Sequence, residues 1–150
     1  MTHGALTYVR ALLAFAVGVG IDLILSADAY AYGERFHHQN LIGINVFWLM
    51  LLLPFVCSLT LEFKWRHPGG GSPTLAALDS RGLLIPSAIV IGLTVTHTIV
   101  LIRDMMIDPT THNLAPFEYL FAWITVGIPA LAGSMLARAI SWTVSRLRVQ

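Results

Sequence analysis

The stretch Thr96–Glu118, THTIVLIRDMMIDPTTHNLAPFE, decides the fold. It starts on a histidine within an apolar run, passes the adjacent Arg103–Asp104 pair, crosses a short polar turn and re-enters apolar sequence at Pro116. A chain that leaves and re-enters an apolar phase through so short a turn reads as two membrane helices joined outside the bilayer, since spanning backbone must satisfy its own hydrogen bonds.

Composition agrees. Of 150 residues, 56% are hydrophobic and 11% charged, with mean hydropathy +0.73; that imbalance excludes an ordinary soluble domain. Four windows are long enough to cross a hydrocarbon core, which takes roughly 17–25 apolar residues per helix: Ala11–Tyr32, Leu41–Leu61, Leu83–Ile102 and Tyr119–Ala137. The second carries only Asn45 among apolar neighbours, so it lacks the polar face of a soluble amphipathic helix. The expected fold is all-α, a single domain of four transmembrane helices with a cytoplasmic linker over 66–81.

Charge orients the bundle. With the amino terminus inside, Arg10, Lys64, Arg66, Arg81, Arg138, Arg146 and Arg148 lie on the cytoplasmic side, leaving only Arg35 and Arg103 outside. This positive-inside bias places both termini in the cytoplasm and the chain in the inner (cell) membrane as a multi-pass protein. Asp22, Asp28, Glu34, Asp104, Asp108 and Glu118 then fall in the outer half, with His37, His38, His97 and His112. The lone Cys57 and the lack of a CxxC motif argue against thiol–disulfide exchange. No basic patch with interleaved aromatics points to nucleic acid.

Each helix carries a distinct signature. A small-residue site after Leu25 resembles signal-peptide cleavage, but Asp22 interrupts the apolar region and favours an uncleaved helix. Ala14, Gly18, Asp22 and Ser26 recur every fourth residue, a small-xxx-small seam that permits close helix approach. Pro54 predicts a kink in the second helix, and Glu62, Lys64, Trp65 and Arg66 read as an interfacial anchor at its end. In the linker, Ser72 followed by Pro73 fits a helix cap and first residue, so TLAALDS is expected to form a short inner helix. The glycines before it lack a following GK[ST] and are no phosphate loop. Thr94, His97, Thr98, Leu101 and Asp104 share a stripe on the third helix, and Glu118, Ala122, Thr125, Pro129 and Gly133 share one on the fourth.

The halves align at an offset of 75, half the chain: His37 falls on His112, Trp48 on Trp123, Pro54 on Pro129, and Asp22 on His97. Overall identity is at background, but the matches are rare residue types in equivalent topological places. They predict two tandem helical hairpins related by a pseudo-two-fold axis along the membrane normal. Such an axis brings Asp22 and His97 to similar depth. An ionised group there costs a few kcal/mol, and pairing is the usual remedy. Asp22 and His97 are therefore expected to face one another, with Asn45, Thr94 and Thr98 nearby and Asp28, Arg103, Asp104, His112 and Glu118 at the mouth.

Three functional readings compete. The first is a polar site in the outer half of the bundle that binds a proton, metal ion or small solute. The second is a non-catalytic accessory or assembly subunit of a membrane complex, its polar seams serving only as helix-to-helix glue. The third is a membrane metal or haem redox protein. His37, His112 and Asp108 are its weak metal candidates, although their spacing matches no zinc signature. No motif identifies a reaction or a cofactor. The partners compatible with the sequence are the lipid bilayer, a second copy of the chain or other subunits of a membrane complex.

Overall fold

The computed structural model describes residues 3–32, 46–64, 72–108 and 115–147. All of its regular elements are helical. They are α1 (His3–Tyr32), α2 (Val46–Lys64), α3 (Pro73–Arg81), α4 (Leu84–Ile107), α5 (Ala115–Ala122), a π-helical turn (Trp123–Gly127) and α6 (Ile128–Leu147). Three stretches are long and apolar enough to cross a membrane: Gly4–Ile24 in α1, all of α4, and Pro116–Leu147 across α5, the π turn and α6. A shorter apolar stretch, Met50–Phe63, belongs to α2. The helices begin earlier or end later than the apolar windows because polar residues continue helical turns beyond the hydrocarbon-compatible run.

The helices pair lengthwise. α1 runs beside α4, and α2 beside α6. In the first pair both glycines sit against the opposing backbone: a Cβ at Gly18 would lie 2.0 Å from the Ile89 carbonyl oxygen, and one at Gly92 would lie 2.2 Å from that of Phe15. In the second pair a Cβ at Gly133 would lie 2.3 Å from the Phe55 carbonyl oxygen. These distances leave no room for any side chain. Lipid gives apolar surfaces no incentive to leave it, so close backbone packing is what holds such helices together. The small-residue seam read from α1 is this contact: Ala14, Gly18 and Asp22 are all buried on it. Around it, Ile21, Met50, Ile85, Ile89, Leu93, Ala122, Val126 and Ala130 form the apolar core.

The end of the bundle beside α3 is closed differently, by four charged side chains. Arg10 donates to Glu62 Oε2 at 2.8 Å and to Asp79 Oδ1 at 3.0 Å. Arg138 donates through Nε to Glu62 Oε1 at 2.6 Å, and through its two terminal nitrogens to the carbonyls of Ser80 (2.7 Å) and Asp79. Arg10 is 0% exposed, Glu62 1% and Asp79 4%. The group balances two positive against two negative charges, the condition for burying any of them. Glu62 is thus a bridge inside the bundle and not the interfacial anchor its neighbours Lys64 to Arg66 suggest.

The linker holds the expected short helix. Ser72 caps α3, accepting from the Leu75 amide at 3.3 Å, and Pro73 opens its first turn. Gly82 ends it in the left-handed region at φ 75°, returning its amide to the Asp79 carbonyl. Ser134 on α6 donates to the Gly82 carbonyl at 2.9 Å, which holds the turn against the bundle.

Replacing Gly18 or Gly92 with leucine is expected to force α1 and α4 apart and to destabilise the protein by about 1–3 kcal/mol or more. Gly20→Ala, at a site where a Cβ meets nothing within 4 Å, is expected to stay within about 1 kcal/mol of the parent, the scale of helix propensity. Thermal unfolding in detergent micelles, followed by circular dichroism, distinguishes the two.

Candidate functional site

Asp22 and His97 meet across the α1–α4 contact. Asp22 Oδ1 lies 3.2 Å from His97 Nδ1. The site is built by register: the glycine contacts fix α1 against α4 so that residues 75 apart share a level, and Asp22 and His97 are such a pair. The other ring nitrogen of His97, Nε2, lies 3.5 Å from Glu118 Oε2 on α5. One imidazole therefore stands between two carboxylates from two other helices. Exposure falls inward along the row, from 34% for the Glu118 side chain to 17% for His97 and 3% for Asp22.

The threonines of α4 hold this row to α5. Thr94 donates its hydroxyl to the Val90 carbonyl at 2.7 Å and accepts from Trp123 Nε1 at 2.9 Å. Thr98 likewise donates to the Thr94 carbonyl at 2.7 Å, which leaves its oxygen to accept from the Tyr119 hydroxyl at 2.7 Å. The Tyr119 ring stands edge-on to His97, with centroids 4.9 Å apart and planes at 89°. Two threonines spaced one turn apart thus catch two aromatics spaced one turn apart. Tyr119, held by Thr98, covers one edge of the imidazole.

The π turn makes the arrangement possible. A regular helix from Pro116 to Leu147 would keep Glu118, Ala122, Thr125, Pro129 and Gly133 on one face. Instead the buried face runs through Ala122 and Thr125, then shifts at Val126 to Ala130, Gly133, Ser134 and Ala137. The wider turn at Trp123–Gly127 absorbs the difference. It precedes Pro129, which has no amide to return to the Thr125 carbonyl and whose ring crowds that oxygen. Thr125 bonds backward, to the Phe121 carbonyl at 2.8 Å. Turns of this type recur at functional sites.

Of the residues expected at the site, Asp22, His97, Thr94, Thr98 and Glu118 come together. Tyr119 and Trp123 join them without having been singled out as site residues; their one-turn spacing opposite Thr94 and Thr98 was the available signal. Arg103 and Asp104 lie farther along α4 and bind each other, Arg103 Nε donating to Asp104 Oδ1 at 2.8 Å. Asp108 is exposed and ends α4, its amide donating to the Asp104 carbonyl at 2.8 Å. Asn45, His37 and His112 lie outside the described residues, as does the side chain of Asp28.

The two carboxylates approach opposite edges of the imidazole, so they do not converge on one point. Among the described residues no group of three His, Cys, Asp or Glu side chains is arranged to hold a metal ion. Compared with protein-family models, with curated proteins and with solved structures, the chain has no significant match.

The Asp22–His97 contact is expected to show a coupling energy on the order of 1–3 kcal/mol in a double-mutant cycle. The variants are Asp22→Asn, His97→Gln and their combination, read by unfolding in mixed micelles. Additive losses would mean that each group is satisfied separately.

Proposed function

We propose that this chain is an integral membrane protein whose outer half takes up a proton at a carboxylate–imidazole–carboxylate relay, Glu118–His97–Asp22, open to the outer side. In this reading four helices cross the inner membrane, α1, α2, α4 and the continuous α5–α6 rod, with both termini in the cytoplasm. The two hairpins α1–α2 and α4–α6 form a repeat about an axis along the membrane normal. Register supports the repeat: Asp22 meets His97 75 positions on, and Glu62 meets Arg138 76 positions on.

The observation that carries the proposal is the chemistry at His97 Nε2. A carboxylate only accepts hydrogen bonds, so Nδ1 must carry a proton to bind Asp22. A neutral imidazole then presents a bare lone pair at Nε2, facing Glu118 Oε2 at 3.5 Å. Two lone pairs repel. One proton placed between them, on the ring or on the carboxyl, turns that contact into a hydrogen bond and closes the row. The site is thus built with a place for one proton, reached first through Glu118, its most exposed member. A small solute that donates a hydrogen bond to Nε2 would satisfy the same ring atom.

Among the described residues the polar seam also closes within a single chain. A purely accessory subunit would more naturally leave it as an unfilled face for its partner, so this closure favours the binding-site reading over that of helix glue.

The test is ¹⁵N magnetic resonance of histidine-labelled protein in sealed vesicles, with His97→Gln used to assign the ring signals. When only the external pH is varied, the His97 signals are expected to titrate, and both Asp22→Asn and Glu118→Gln are expected to displace the curve. Signals insensitive to the external pH, or a curve unmoved by either variant, would overturn the proposal.

A further inference from the structure

The inner end of the bundle is sealed by an element attached unusually. The only fully buried residue of α3 is Asp79. Its remaining side chains are half-buried or exposed, including Thr74, Ala77, Ser80 and Arg81. Three polar contacts tie α3 to α1 and α6: Asp79 to Arg10, and the Asp79 and Ser80 carbonyls to Arg138. The Gly82 carbonyl, one residue beyond, accepts from Ser134. The α1–α4 and α2–α6 pairs, by contrast, meet backbone to backbone through glycine.

Ionic contacts of this kind are a poor way to gain stability. Desolvation consumes most of their attraction, and apolar residues of similar volume often do as well or better. Their best-attested use is to specify one arrangement or to switch between two. What lies behind this clasp points to the second use. On α2, one turn outward from Glu62, Ser58 is 0% exposed and its hydroxyl has no hydrogen-bond partner; Arg10 Nε is likewise buried and unpartnered. Farther outward the same is true of Asp22 Oδ2. The unpartnered buried side-chain atoms thus mark levels from the outer relay down to the back of the clasp. Buried polar atoms of this sort call for water. Between the levels lie apolar side chains, Ile89, Leu93 and Val126, each 0% exposed.

We propose that α3 is an inner gate, closed here, whose release from Arg10 and Arg138 admits water from the cytoplasmic side to the level of Ser58. The protein would then expose its interior to one side at a time: to the outside through Glu118 with the clasp shut, as in this structure, and to the inside with the clasp open. The inference rests on the orientation and the outer relay proposed above, and it extends them from proton uptake to proton or small-cation passage.

The test uses the full chain carrying Cys57→Ser and Ser58→Cys, reconstituted in vesicles and challenged with a membrane-impermeant maleimide from either face. With the native clasp, labelling is expected to be slow from both faces. Asp79→Asn or Arg138→Gln is expected to accelerate labelling at least about tenfold from the cytoplasmic face and to leave the outer face unchanged. The His97 signals are read in the same samples and should persist, showing that the outer half remains folded. Where those variants do not fold, Ser134→Ala, which removes only the bond to the Gly82 carbonyl, is expected to give a smaller increase in the same direction. Rates equal to the parent in every folded variant would overturn the gate, as would equal acceleration from both faces. Because this readout needs no titration at His97, its failure is distinct from failure of the proton site.

Discussion

A charge placed in hydrocarbon must find its partner within the protein, and the structure follows from that constraint. Lipid offers neither water nor counter-ions to offset an ionised side chain, so each buried titratable group requires another helix at a fixed distance and level. Asp22 requires His97, and Arg10 requires Glu62 and Asp79. These demands are met at opposite ends of the bundle. Between them the helices are free to pack as closely as their backbones allow, and glycine at positions 18, 92 and 133 lets them do so. The glycine contacts set the register, and the register brings the charged groups to one another.

The two ends solve the same problem in different ways. At the end beside α3 two arginines and two carboxylates neutralise each other, with Arg10 Nε left buried and without a partner. At the other end two carboxylates flank one imidazole. A cluster of balanced charge holds a shape; a row with one imidazole between two carboxylates, in the proposed reading, has a use for a proton. The division matches the rest of the molecule, since the charge-balanced cluster fastens α3 and the row around His97 is bordered by Tyr119 and Trp123.

Much of this was legible in the residues, for physical reasons. Apolar length gave the helices, and Ser72–Pro73 gave α3 its start, because caps and proline act locally. The Asp22–His97 pairing was legible because an isolated charge in a span is costly and the half-chain offset put the two at one depth. The inner cluster was not. Arg10, Glu62 and Arg138 each occur where interfacial charge is ordinary, and nothing local distinguishes an arginine facing headgroups from one 0% exposed. The α4 stripe of Thr94, His97, Thr98, Leu101 and Asp104 was read correctly as a face but not as the flank of the packed one. The fully buried side of α4 passes instead through Ile85, Ile89, Leu93 and Thr96.

The π turn was also hidden, since a regular period connects Glu118 to Gly133 without it. Its presence divides one continuous rod into two parts with independent rotational phase. Outward of Trp123 the helix is oriented by what the histidine needs; inward of Gly127 it is oriented by the seating of Gly133 and Ser134. The extra width absorbs whatever angle separates those two requirements. The segment before the π turn can thus acquire a different set of polar side chains without disturbing the seat of α6 against α2.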